Sequence, residues 1–141
     1  MVMSLMDGTW IMVHITIQPH PDLNVAGYRV EHPEKADPTN RPYLNGGIVI
    51  KFHGSQKYTT DGISAAKMKD YCERAKVPYQ TYANRSDIAG GSTLGNISTA
   101  HVSVSSVDIG LPQLAMHSAV ETAGMMDTEY AVRALKEFWG E

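Results

Sequence analysis

The chain has one cysteine, no basic cluster and no uninterrupted apolar run long enough to cross a bilayer. Cys72 has no partner for an intramolecular disulfide, and a lone thiolate cannot build a cysteine zinc site. Its natural setting is a reducing cytoplasm. The 12 Lys and Arg residues against 15 Asp and Glu are scattered along the chain, so nothing favours nucleic acid or an anionic membrane as a partner. The most apolar stretch, "MVMSLMDGTWIMVHITI" at the N-terminus, has no basic start and is broken by Asp7 and His14. It reads as neither signal peptide nor membrane span. Internal repeats and low-complexity tracts are also lacking. At 141 residues the expected organisation is one domain with one core.

The patterns that are present alternate between strand and helix. "TWIMVHITI" is rich in β-branched and aromatic residues and predicts a strand buried on at least one face; "NVAGYRV" predicts a shorter one. Residues 31–47 hold three prolines and two adjacent glycines and predict a long loop. "GIVIKF" predicts a short buried strand. In "ISAAKMKDYCERAK" the residues Ile63, Ala66, Tyr71 and Ala75 recur at near-helical spacing, with Asp61 placed as N-cap. "VPYQTYA" predicts a strand, the glycine-rich "NRSDIAGGSTLGNISTAHV" a turn entering a helix, "SSVDIG" a strand and "PQLAMHS" a turn. "DTEYAVRALKEFWGE" predicts a closing helix with Tyr130, Val132, Leu135 and Phe138 towards the core. Such alternation implies a layered α/β domain.

Four features carry candidate chemistry. His117 follows the apolar "LPQLAM" beyond a strand end, where α/β folds keep polar active groups; it is either a hydrogen-bonded core or surface histidine or a metal ligand. "AGGSTLG" could present backbone N–H groups to an anion, although it lacks the Gly-Lys of a P-loop, and a turn that needs positive φ explains it equally well. Lys51 falls near a predicted strand end, where a solvated lysine is the default and a cation reading an acidic substrate is the sharper alternative. "HPD" is either a proline turn or a histidine and carboxylate, His20 and Asp22, placed to bind metal.

Three longer segments, "HPEKADPTNRPYLNGGIVIKF", "NRSDIAGGSTLGNIS" and "VDIGLPQLAMHSAVETAG", resemble consecutive motifs from the C-terminal part of the M18 aspartyl aminopeptidases. The resemblance runs from about His32 to Glu141 in order; residues 1–31 are otherwise unplaced. It implies an α/β/α domain with a mixed central sheet, part of a cytoplasmic, oligomeric metallopeptidase. The implied reaction removes N-terminal Asp or Glu from peptides through water activated by two zinc ions. On this resemblance His117 is a zinc ligand, with His20 and Asp22 as loose counterparts of the family's early His-x-Asp motif. Lys51 is implied in the pocket for the acidic side chain, and Gly91, Ser92 and Thr93 line the same cleft.

The chain also departs from that pattern. The family's Asp-x-Ala-His motif falls with its Asp position on Leu23 and its His position on Ala26, and no Glu-Glu pair occurs. The expectation is therefore an incomplete form of the enzyme. A catalytically inactive binding or oligomerisation module is the alternative, and a one-metal hydrolase built on His117, His20 and Asp22 a third. An incomplete sheet would leave an open edge, so a homo-oligomer is expected, with "TWIMVHITI" covering an edge in its own or a neighbouring subunit.

Overall fold

The computed structural model describes residues 2–4, 10–19, 39–83, 87, 94–115 and 119–140. Among the described residues six strands form one mixed sheet: β1 (Val2–Ser4), β2 (Trp10–Pro19), β3 (Ile48–Phe52), β4 (Tyr79–Ala83), β5 (Ser105–Leu114) and β6 (Thr122–Ala123). The main order is β1-β2-β5-β3-β4, with β6 hydrogen-bonded to β5. β2 runs parallel to β5, and β3 parallel to β4. The β3–β5 pair in the middle is antiparallel, with Val49 opposite Gly110 and Ile50 opposite Ile109. The described residues also form three helices: α1 (Gly62–Ala75), α2 (Leu94–His101) and α3 (Met125–Trp139).

Strand alternation assigns the two faces. Ile48, Ile50, Val107 and Ile109 join Ala65, Met68, Tyr71 and Cys72 of α1 and Ala131, Ala134, Leu135 and Phe138 of α3 in one core cluster. Val49, Lys51 and Asp108 are also buried, and the alternation points them to the opposite face. There a Cβ added to Gly95 of α2 would come within 3.1 Å of Asp108 Oδ2. The architecture is therefore α/β/α, with α1 and α3 on one side and α2 on the other. Among the described residues, the large apolar cluster lies on the face opposite Lys51.

α1 begins where the sequence places it. Asp61 accepts a hydrogen bond from the Ser64 N–H at 2.7 Å, and its own N–H donates to Ser64 Oγ at 3.0 Å, a reciprocal capping box. Lys76, in the left-handed conformation, ends the helix. The buried stripe is rotated from the expected one, however. Ala65, Met68, Tyr71 and Cys72 face inward, whereas Ile63 is 69% exposed and Ala66 is also exposed. The capping box turns Ser64 inward and so sets the phase of the first turn. α3 starts at Met125 and buries Ala131, Ala134, Leu135 and Phe138, with Tyr130 half-buried at the margin. Val132, expected inside, is half exposed.

The "PQL" segment is strand rather than turn: β5 continues to Leu114, pairing Pro112 with Gln18 and Gln113 with both Pro19 and Ala123. Pro112 lies between the residues bonded to β3 and those bonded to β6, a gap in which its missing N–H interrupts no described ladder bond. "TWIMVHITI" forms the bulk of β2, which sits between β1 and β5 and not at the rim. "NVAGYRV" lies outside the described residues.

Loop 39–47 holds two parts of the fold together. Along the outer edge of β4, Asn40 Nδ2 donates to the Thr81 carbonyl at 3.3 Å and Asn40 Oδ1 accepts from the Ala83 N–H at 2.9 Å. Gln80 does the reverse, accepting from the Tyr43 N–H and donating to the Tyr43 carbonyl, both at 3.0 Å. Asn40 thus imitates a neighbouring strand and blunts that edge, while Gln80 ties the loop backbone to it. Further along, the N–H groups of Asn45 and Gly47 each donate to buried Asp127 at 2.8 Å, while Asn45 Oδ1 accepts from the Met126 N–H. Asn45 thus supplies the cap that Gly124, the helix's own N-cap residue, has no side chain to make. Gly47 adopts φ +93°, and a Cβ there would lie 1.9 Å from the Pro78 carbonyl oxygen; only glycine fits this crossing.

Candidate functional site

Lys51 is the fourth of five residues in β3, near the carboxyl end of the strand. The β3–β5 register, continued by one pair from Ile50–Ile109, sets it directly across from Asp108. Both are buried: Lys51 is 1% exposed and Asp108 0%. The solvated strand-end lysine read as the default from the sequence is therefore replaced by a desolvated cation. Burial lowers the Lys51 pKa to about 8, and the Asp108 carboxylate opposes that shift by favouring the ammonium.

Segment 53–61 closes over this pair. Asp108 Oδ2 accepts from the Thr59 N–H at 2.7 Å and the Thr59 hydroxyl at 3.1 Å. The Thr60 hydroxyl accepts from the Asp108 N–H at 2.8 Å and donates to its carbonyl at 3.4 Å. These bonds fix the carboxylate while the ring of Tyr58 receives Lys51 Nζ at 4.2 Å from its centroid, a cation–π contact. His53 meets the same ring edge-on, with centroids 5.6 Å apart. Its Nδ1 lies 3.1 Å from the Ser55 backbone nitrogen, which makes Nδ1 an acceptor and leaves the ring proton on Nε2. Nε2 is buried without a hydrogen-bond partner among the described residues. α2 closes against the site at Gly95, where a Cβ would lie 2.8 Å from Thr59 Cγ2.

The arrangement is a buried ammonium flanked by a fixed carboxylate and an aromatic face. Its charge is held out of water, where electrostatic interactions are screened little and desolvation is costly. Asp108, Tyr58, Thr59 and His53 are site residues that the sequence reading missed. The tripeptide "YTT" carries no spacing signal, and Asp108 becomes a partner of Lys51 only through the register of two strands distant in sequence.

Of the other candidates, His20, Asp22, Gly91, Ser92, Thr93 and His117 all lie outside the described residues. Among the described residues no three His, Cys, Asp or Glu side chains converge to hold a metal ion. Four residues before His117 in the sequence, buried Gln113 donates through Nε2 to Glu121, and its Oε1 has no partner among the described residues.

Residues 22–139 match the family described as aminopeptidase I zinc metalloprotease (M18). The chain belongs to the M18 peptidase family. A probable M18 family aminopeptidase 2 from Clostridium novyi is 52% identical over 106 residues, 75% of this chain and 24% of the relative. A counterpart from Pseudomonas aeruginosa is 40% identical over 116 residues, covering 82% of this chain and 27% of its own length. The chain thus spans about a quarter of the length of the curated relatives it matches. In the cryo-EM structure of the Ape4 and Nbr1 complex, one chain superposes with a TM-score of 0.81 at 32% identity, over 92% of this chain and 23% of that one. The S. cerevisiae mApe1 dodecamer shares the fold with a TM-score of 0.71 at 20% identity, over 91% of this chain and 26% of its own. The M18 likeness and the mixed α/β fold expected from the three sequence segments are both borne out by these matches.

Proposed function

We propose that this chain is the C-terminal part of the catalytic domain of an M18 aminopeptidase that removes N-terminal Asp or Glu, with Lys51 receiving the acidic side chain. The observation that carries this reading is the burial of Lys51 opposite Asp108. A desolvated lysine is costly to keep, and such groups cluster where a protein needs a strong receptor for charge. Gly91, Ser92 and Thr93, just before α2, are proposed to line the same cleft.

His117, with His20 and Asp22, is proposed as the metal-binding set. Two imidazoles and one carboxylate are a donor set suited to zinc. The assignment rests on the resemblance of their motifs to those of the family. Zinc, when bound, would polarise a peptide carbonyl and acidify water. The protein's own contribution is the orientation of the acidic side chain by Lys51. Self-association is part of the proposal, since the mApe1 neighbour is a dodecamer.

A second reading has its own support. Leu23 and Ala26 occupy the positions of the family's Asp-x-Ala-His motif and no Glu-Glu pair occurs, which favours a scaffold that binds without hydrolysing.

Recognition of the acidic group is testable without turnover. In an NMR titration the chain is expected to bind L-aspartate more tightly than L-asparagine by about tenfold, the usual margin for one charge-assisted contact. Lys51→Gln should erase that margin. Equal binding of the two amino acids by the parent chain would refute the acid-reading role.

A further inference from the structure

The α1–α3 layer leaves one seam of α3 uncovered. Met125, Val132 and Trp139 are 83%, 50% and 46% exposed, and they recur every seventh residue, so they form a nearly straight apolar row along the outer face of the helix. Glu129 and Lys136 stand beside the row, also exposed. Singly exposed apolar residues are ordinary; here three share one helix face and are flanked by charges of opposite sign.

The pattern is symmetric about Val132. Met125 lies seven residues before it and Trp139 seven after, while Glu129 lies three before and Lys136 four after. A second copy of α3 laid antiparallel and centred on Val132 therefore sets Met125 against the partner's Trp139, and Val132 against the partner's Val132. The charges follow the same symmetry. With a rise of about 1.5 Å per residue, Glu129 and the partner's Lys136 differ in height by only about 1.5 Å. At about 100° per residue, Glu129 and Lys136 both lie to the same side of the Val132 direction, by roughly 60° and 40°. A two-fold axis perpendicular to the plane of the two helices preserves that side, so each Glu129 meets the partner's Lys136.

We infer that the exposed face of α3 is a two-fold interface with a second copy of this chain, built on a Met125–Val132–Trp139 seam and two reciprocal Glu129–Lys136 ion pairs. Charge complementarity selects this occupant. A parallel copy in register would place Glu129 beside Glu129 and Lys136 beside Lys136, and an unrelated apolar partner would leave the reciprocal charges without a role. The pairing rests on the self-association proposed above and gives it a definite surface. One helix pair is at the small end of specific interfaces, so association is sought at micromolar concentrations.

The test is sedimentation velocity on the full chain across micromolar concentrations. The parent is expected to show a reversible dimer, and Val132→Glu a monomer with an unchanged circular-dichroism spectrum. Glu129→Lys and Lys136→Glu should each weaken dimerisation by about tenfold by setting like charges together, and the double variant should restore it. A parent chain that stays monomeric, a Val132→Glu variant that assembles like the parent, or a double variant no better than the single ones would each overturn the interface. Zinc content measured on the same samples reports the peptidase reading separately, because no seam residue belongs to the proposed metal set.

Discussion

At pH 7 the Lys51→Met variant should be more stable than the parent, by up to about 3 kcal/mol. The folded protein holds the Lys51 ammonium in a buried position where its pKa is lowered from 10.5 to about 8, and each tenfold loss of proton affinity corresponds to about 1.4 kcal/mol. Methionine has nearly the same shape without the charge, so it removes the desolvation cost. The difference depends on pH in a defined direction. Below about 8 lysine is protonated in both folded and unfolded chains, and the full penalty is felt. Between about 8 and 10.5 the folded parent has released the proton while the unfolded chain retains it, so parent stability rises with pH. The advantage of the variant should shrink across that window. Urea unfolding at pH 7 and pH 10 measures both values. A variant less stable than the parent at pH 7 would show that the Asp108 and Tyr58 contacts outweigh the burial of the charge.

Asp127→Ala should be the most damaging single change, costing about 3 kcal/mol or more. Asp127 is fully buried, and its two oxygens separately satisfy the N–H groups of Asn45 and Gly47. Alanine leaves both donors without this acceptor and keeps only the Asn45 Oδ1–Met126 N–H bond between loop 39–47 and the start of α3. Charged hydrogen bonds of this kind are worth about 1.5–3 kcal/mol each, with further cost for a buried group left unsatisfied. Asp127→Asn keeps one oxygen acceptor and should fall between the two. Burial raises the Asp127 pKa and the two N–H donors only partly offset it. The folded state therefore binds this proton more readily than the unfolded one, and Asp127 adds stability as pH falls through that interval. The Asp127→Ala variant should lack this component, which chemical unfolding at pH 4 and pH 7 would reveal.

These two residues show what can be read in the sequence and what cannot. β3, α1 with its Asp61 cap, β4 and α3 are legible because local composition and capping chemistry decide them. The facing of Ile63 and Val132 is not, since a loosely matched apolar period leaves the phase of a helix open by about one residue. The strand through Pro112 is hidden because proline reads as a breaker unless the gap between β3 and β6 is known. Lys51 is legible as a candidate, but its burial is not. That depends on Asp108 arriving through an antiparallel pairing, just as the burial of Asp127 depends on backbone donors 80 and 82 residues earlier. The long-motif resemblance supplies the family, which composition and periodicity alone cannot do. It also gives His117, His20 and Asp22, already candidates from their local setting, the ligand roles that belong to the proposal.

The most direct test of that proposal is elemental analysis of zinc in the purified chain and in His117→Ala. About one zinc per parent chain is expected from one histidine pair and a carboxylate, with loss of the metal in the variant. A parent chain without zinc, or a variant retaining as much as the parent, would contradict the assignment of His117 as a metal ligand and favour the non-hydrolysing scaffold.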